Sequence, residues 1–108
     1  MDVIPANAVA VIFSSTRNGS DAAGYAAAAA EMDRRAAAMP GYLGMEATRG
    51  ADGFGLTVSY WASEADAIAW RDDPAHRAAR DAGRDRWYES YRITVATVTR
   101  GYTWARPA

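Results

Sequence analysis

A chain of 108 residues has room for one domain with its own core and is too short for two of ordinary size. Half of the residues are apolar and the formal net charge is −1 with acids and bases interspersed, so the footprint expected of a DNA-, RNA- or anionic-membrane-binding protein is missing. The sequence has no cysteine, which excludes disulfides, thiolate nucleophiles and cysteine-held metals together.

The opening MDVIPANAVAVIF carries an acid where a signal peptide has a basic region, and it has no long apolar core. No stretch approaches the roughly 18 unbroken apolar residues of a membrane span, so a cytoplasmic protein with no membrane partner is expected. Residues 8–15 (AVAVIFSS) predict a first strand, ended by the turn signal Asn18-Gly19. Ser20 or Asp21 then caps a helix over 21–39. Its alanine block is explained by a stripe of Tyr25, Ala29, Met32, Ala36 and Met39 at three- and four-residue spacing, with Glu31, Asp33, Arg34 and Arg35 mainly off it. Pro40-Gly41 stops that helix.

A second strand is predicted over 42–48, a hairpin turn at 51–53 and a third strand over 56–61 (LTVSYW). Alternation puts Leu56, Val58 and Tyr60 on one face and Thr57, Ser59 and Trp61 on the other. Ser63 with Glu64 and Asp66 resembles a capping box for a short helix through Trp70. Asp73-Pro74 starts another, with Ala75, Ala78, Ala79 and Ala82 as its stripe and Gly83 weakening its end. A period of two returns near Tyr91 and predicts a last strand over 91–102, followed by a short tail.

Strand, helix, strand, strand, helix pair, strand is the pattern of an α+β, ferredoxin-like βαββαβ domain: a four-stranded antiparallel sheet with helices on one side. One such domain is expected to occupy residues 1–108, with its core over about 8–102. The first strand (Val9 to Phe13) and the last (Ile93 and Val95 against Ala96 and Val98) are apolar on both faces, yet one face only can meet the chain's own helices. A homodimer in which a second copy covers the other face follows.

The strings PGYLGMEATRG, GLTVSYWASEADAIAWR and AHRAARDAGRDRWYESY resemble the antibiotic-biosynthesis monooxygenase family, over about residues 8–102. The most specific parts are Pro40-Gly41 with Tyr42, Leu43 and Gly44, and the passage from Ser59 through Trp61 and Ser63 to Trp70. The resemblance implies a dimeric α/β barrel, each subunit keeping a pocket between sheet and helices. It also implies one of three functions: oxidation of polycyclic phenols by dioxygen without metal, flavin or heme; heme binding or degradation; or small-molecule binding without catalysis.

Cofactor-free oxygenation needs an apolar pocket that excludes water, a group that forms or stabilises a phenolate, and polar atoms to hold the oxygenated intermediate. Trp70 is a candidate because family enzymes line their pocket with a tryptophan there, an indole N–H donor; otherwise it packs between helix and sheet. His76, the one histidine, is the candidate base for a phenol proton, set against an ordinary solvated position early in a helix. Arg80, one turn later on the same face, can bind a phenolate or carboxylate, or pair with a nearby acid. Trp61, Ser59 and Thr57 share one face of their strand and form a pocket wall if that face meets the helices; if it meets a partner subunit, Trp61 is an interface anchor. Tyr88, in the most aromatic segment, and Phe13 on the first strand are further substrate-binding candidates. Glu46 is a lone carboxylate without an evident partner. No phosphate loop, triad or metal-ligand cluster is present, and the resemblance implies no cofactor and an aromatic or polyketide-like small molecule as partner.

Heme is the cofactor alternative. Heme-degrading relatives carry the iron-binding histidine ten residues beyond the helix tryptophan and an asparagine on the first strand. Here position 80 is arginine, His76 lies six residues beyond Trp70, and residues 9–15 contain no asparagine.

Overall fold

The structure is a computed structural model that describes residues 2–108. Four strands, β1 (Val9–Arg17), β2 (Tyr42–Arg49), β3 (Phe54–Trp61) and β4 (Tyr88–Thr97), form one antiparallel sheet in the order β2-β3-β1-β4. The helices are α1 (Ala22–Ala37), α2 (Glu64–Arg71) and α3 (Pro74–Ala82), the last running into a π-helical turn, Gly83–Trp87. This is the ferredoxin-like α+β fold. Among the described residues no helix is long and apolar enough to cross a membrane.

Local chemistry accounts for the element boundaries. The Asp21 carboxylate accepts the Gly24 N–H at 3.1 Å and so caps α1, while also accepting the Trp87 indole N–H at 3.3 Å. Past the helix end Gly41 takes φ +80°, and a Cβ there would overlap the Asp66 carboxylate. The Ser63 hydroxyl accepts the Asp66 N–H at 3.1 Å, the predicted capping box, and opens α2. Asp73 accepts the N–H groups of Ala75 and His76, each at 3.1 Å, ahead of Pro74 at the first turn of α3.

Register decides which sheet face meets the helices. Val9 stands opposite Trp61, Val11 opposite Ser59 and Phe13 opposite Thr57, so these six share a face. Val9, Trp61, Ala36, Ala67 and Trp70 form the core cluster, with Met32, Met39, Tyr42 and Met45 packed against it. The face of Thr57, Ser59 and Trp61 is therefore the inner one, and the α1 stripe packs on it as its spacing requires. The outer face presents Ile12, Val58 and Tyr60, with Phe54 47% and Leu56 38% exposed.

One expectation is refined and two are corrected. Regular α-helix ends at Ala82 with Gly83 as its C-cap, in keeping with the glycine signal, but the helical path goes on as a π turn to Trp87. A Cβ at Gly83 would come within 2.7 Å of the Tyr88 ring, so the glycine serves the close approach of that ring. The last strand runs over Tyr88–Thr97 rather than 91–102, because Arg17, the last residue of β1, already pairs with Tyr88 and Val9, the first, pairs with Thr97. Its outer face is not the continuous apolar surface expected, since Arg92 and Thr94 occupy the outward positions opposite Ser14 and Ile12.

Candidate functional site

Between the inner sheet face and the helices lies a cavity of about 480 Å³. Its floor is Val11, Phe13, Met45, Thr57 and Ser59 of the sheet; α1 contributes Tyr25, Ala29, Met32 and Asp33. Trp70 of α2 and His76, Ala79 and Arg80 of α3 form the opposite wall, and Tyr88, Tyr91, Ile93 and Val95 of β4 complete it. At the β4 side the cover is thin, because Ile93 and Val95 are inward-facing yet 48% and 55% exposed.

The helix wall is ordered by aromatic stacking. Trp70 lies against the imidazole of His76 with ring centroids 4.3 Å apart and planes 7° from parallel. Behind Trp70 stands Trp61, at 6.2 Å and 23°, and behind Trp61 is Tyr42, edge-on at 5.7 Å. His76 reaches this position because only Asp72 and Asp73 separate α2 from α3, and the Asp73 cap folds the first turn of α3 back over the Trp70 carbonyl. His76 Nδ1 lies 2.9 Å from that carbonyl oxygen. A carbonyl only accepts, so Nδ1 carries the proton and Nε2 keeps its lone pair. Burial holds the imidazole pKa below its ordinary 6.5, Arg80 pushes the same way, and the opposing influences of the Trp70 carbonyl and Asp73 are outweighed. The ring is therefore neutral at pH 7, with one basic nitrogen available to a molecule in the cavity.

The sheet wall is polar at chosen points. Trp61 is fully buried, at 0% exposure, and its indole N–H donates to Ser59 Oγ at 2.9 Å. Indole has no acceptor, so the Ser59 hydroxyl proton stays free to donate elsewhere. At the α1 end Tyr88 donates its hydroxyl to Tyr25 at 3.4 Å, and Arg49 reaches the same Tyr25 oxygen at 3.1 Å while holding Ser15 Oγ at 2.8 Å. Burial, followed by the bond to Tyr25, raises the Tyr88 phenol pKa well above its usual value. Tyr88 is a hydrogen-bond donor at neutral pH and not a phenolate. Its ring packs edge-on to Phe13 at 5.4 Å, and Phe13 in turn touches Tyr91, also at 5.4 Å.

Seven of the eight residues singled out from the sequence therefore meet at one cavity: His76, Arg80, Trp70, Ser59, Thr57, Tyr88 and Phe13. Trp61 is the exception. It is part of the core one layer behind the wall, and it shapes the cavity only through Trp70 and Ser59. The solvated alternative for His76 does not hold, because the ring is stacked and half-buried. Glu46 pairs with Val58 on the outer face, away from the cavity. Asp33, placed off the α1 stripe, does line it, and Tyr25, Arg71, Arg84 and Trp87 are lining residues that the sequence did not single out for the site. Among the described residues no group of three or more His, Asp or Glu side chains is placed to hold a metal ion.

A family model described as antibiotic biosynthesis monooxygenase matches residues 8–82. YqjZ of Bacillus subtilis (strain 168) is 50% identical over 91 residues, which are 84% of this chain and 79% of that protein. Among solved structures, SnoaB from Streptomyces nogalater, described as a cofactor-independent oxygenase, superposes with a TM-score of 0.74 at 16% identity, covering 88% of this chain and 96% of that one. Rv0793 from Mycobacterium tuberculosis gives 0.73 at 18% identity, covering 83% and 93%.

Proposed function

The chain belongs to the antibiotic biosynthesis monooxygenase family, and on that footing we propose that it is a cofactor-independent monooxygenase that oxidises an aromatic, polyketide-like small molecule with dioxygen. The observation that carries this reading is the neutral His76, stacked on Trp70 with Nε2 free at an aromatic cavity. The description of SnoaB as a cofactor-independent oxygenase on the same fold supports it.

An anthrone lying along the Trp70–His76 wall loses a proton from its CH₂ group to His76 Nε2. The electron-rich anion passes one electron to dioxygen, and the resulting pair combines at carbon to give a hydroperoxide, protonated by the histidine. Loss of water then leaves a carbonyl, so that a CH₂ group and O₂ become C=O and H₂O. Arg80 offsets the negative charge of the anion, and the hydroxyls of Ser59 and Thr57 hold the peroxide oxygens, while the Tyr88 ring lines the slot. The apolar walls limit water and the loss of the radical pair.

Heme finds no histidine here at the position where heme-degrading relatives carry one. Arginine stays protonated and offers iron no lone pair, so Arg80 cannot replace the histidine found at that place in heme-degrading relatives. His76 keeps Nε2 free but stands six residues beyond Trp70 rather than ten, with its ring flat against the Trp70 indole at 4.3 Å.

Oxygen consumption with a panel of anthrones and quinols tests the proposal. Uptake with incorporation of one labelled oxygen atom into product is expected for at least one compound. No uptake across the panel, with binding retained, would assign the cavity to ligand binding without catalysis.

The protein acts as a homodimer in this proposal, a second copy covering the outer sheet face where Phe54, Leu56, Ile12 and Val58 collect. Sedimentation is expected to give twice the protomer mass at micromolar concentration, and Leu56→Arg to shift it toward the protomer. A wild-type chain that stays single throughout the concentration range would remove the dimer.

A further inference from the structure

We infer that the ligand of this cavity carries a carboxylate on its aromatic body, held at the mouth between Arg80 and Arg84; this rests on the aromatic-ligand reading above. Both arginines line the cavity, four residues apart where α3 passes into the π turn. Side chains at that spacing on a helical path are neighbours, and two guanidiniums so placed repel each other unless an anion lies between them. Elsewhere arginines near acids pair with them: Arg34 and Arg35 with Glu31, and Arg71 with Asp72 at 3.0 Å. Among the described residues no carboxylate lies within ion-pair distance of Arg80 or Arg84.

Their present bonds leave donors to spare. Arg80 makes a long 3.4 Å contact from Nη1 to the Arg71 carbonyl, and Arg84 spends Nε on the Tyr91 hydroxyl at 2.6 Å. The Arg84–Tyr91 bond also fixes where the charge sits, because Tyr91 packs on Phe13 at 5.4 Å and on Tyr88 at 6.1 Å. The guanidinium is thereby tethered at the aromatic slot, whose β4 side carries the exposed inner side chains Ile93 and Val95. A flat ring inside the slot with an anionic group at its open edge satisfies both parts. The remaining charges on the lining choose the anion. Asp33 and Glu64 are also there, and Arg71 is engaged by Asp72, so a doubly charged phosphate meets more repulsion than a single planar carboxylate, which also matches the guanidinium fork.

Calorimetric titration with 1-hydroxy-2-naphthoate and with its methyl ester tests the clamp on the intact chain. The acid is expected to bind wild type roughly tenfold more tightly than the ester at low salt, an advantage that shrinks as salt is raised. In the double variant Arg80→Gln, Arg84→Gln the acid and the ester should bind alike, because the charge that favoured the acid is gone. If wild type binds the ester and the acid equally, or if the double variant keeps the preference, the clamp is wrong while the aromatic cavity stands. If wild type binds neither, the cavity reading fails and the clamp with it.

Discussion

Replacing His76 with phenylalanine is expected to lower the kcat of oxygen consumption by about 10²–10⁴, the usual contribution of a positioned general base. KM should change little, because phenylalanine keeps the flat surface stacked 4.3 Å from Trp70 and loses only Nε2 and the Nδ1 bond to the Trp70 carbonyl. The pH profile separates a base from a mere spacer. Since burial depresses the His76 pKa below 6.5, Nε2 remains free through neutral pH, and wild-type activity should fall only on the acid side of that value. The acid limb should vanish in the phenylalanine variant. An unchanged kcat with an intact acid limb would show that the proton goes elsewhere.

The same shift makes a statement about folding. A histidine whose folded pKa is depressed binds fewer protons folded than unfolded in the window between the two values, so stability rises with pH across it. The contribution is complete above about pH 6.5 and is lost as pH falls through that value toward the folded pKa. His76→Phe should flatten this dependence, which thermal melts at a series of pH values between about 5 and 8 will read.

Periodicity carried most of the fold in the sequence. The α1 stripe ending in Ala36 and Met39 and the alternation of Thr57, Ser59 and Trp61 could be read because helix and strand periods are local properties of the backbone. Which face of β3 turned inward could not, since that depends on its register with Val9, Val11 and Phe13, almost fifty residues away in the chain. Gly83 marks the end of regular α-helix, as its type suggests, but its second role was not legible. Glycine commonly stops a helix, and here it also makes room for the Tyr88 ring and lets the path widen into a π turn. The apolar alternation carries on through Ala96 to Val98, past the true end of β4 at Thr97, but strand length is set by the partner: β1 begins at Val9, and Asn7, two residues earlier, takes a left-handed φ of +72°. For the site, residue type was informative where chemistry is scarce, as with the one histidine, and silent where it is common, as with Tyr25 and Arg84.

Trp61→Ala is expected to cost about 3–5 kcal/mol of folding stability, the range for truncating a large buried aromatic, and in a domain of this size that leaves little. Trp61 has no exposed surface, touches Tyr42 on one side and Trp70 on the other, and donates its only polar hydrogen to Ser59. The more telling variant is Trp61→Phe, which refills much of the space but leaves Ser59 without its donor. Denaturant melts should give a loss nearer 1–2 kcal/mol for that change, from the smaller ring and the missing hydrogen bond together. Because Trp70 leans on Trp61 and His76 leans on Trp70, the disturbance should reach the catalytic wall without any ligand contact being removed. A folded Trp61→Phe protein should therefore show a reduced kcat with its acid limb still present, unlike His76→Phe, in which that limb disappears. If Trp61→Phe leaves both stability and kcat at wild-type values, the aromatic stack is packing alone and His76 holds its place without it.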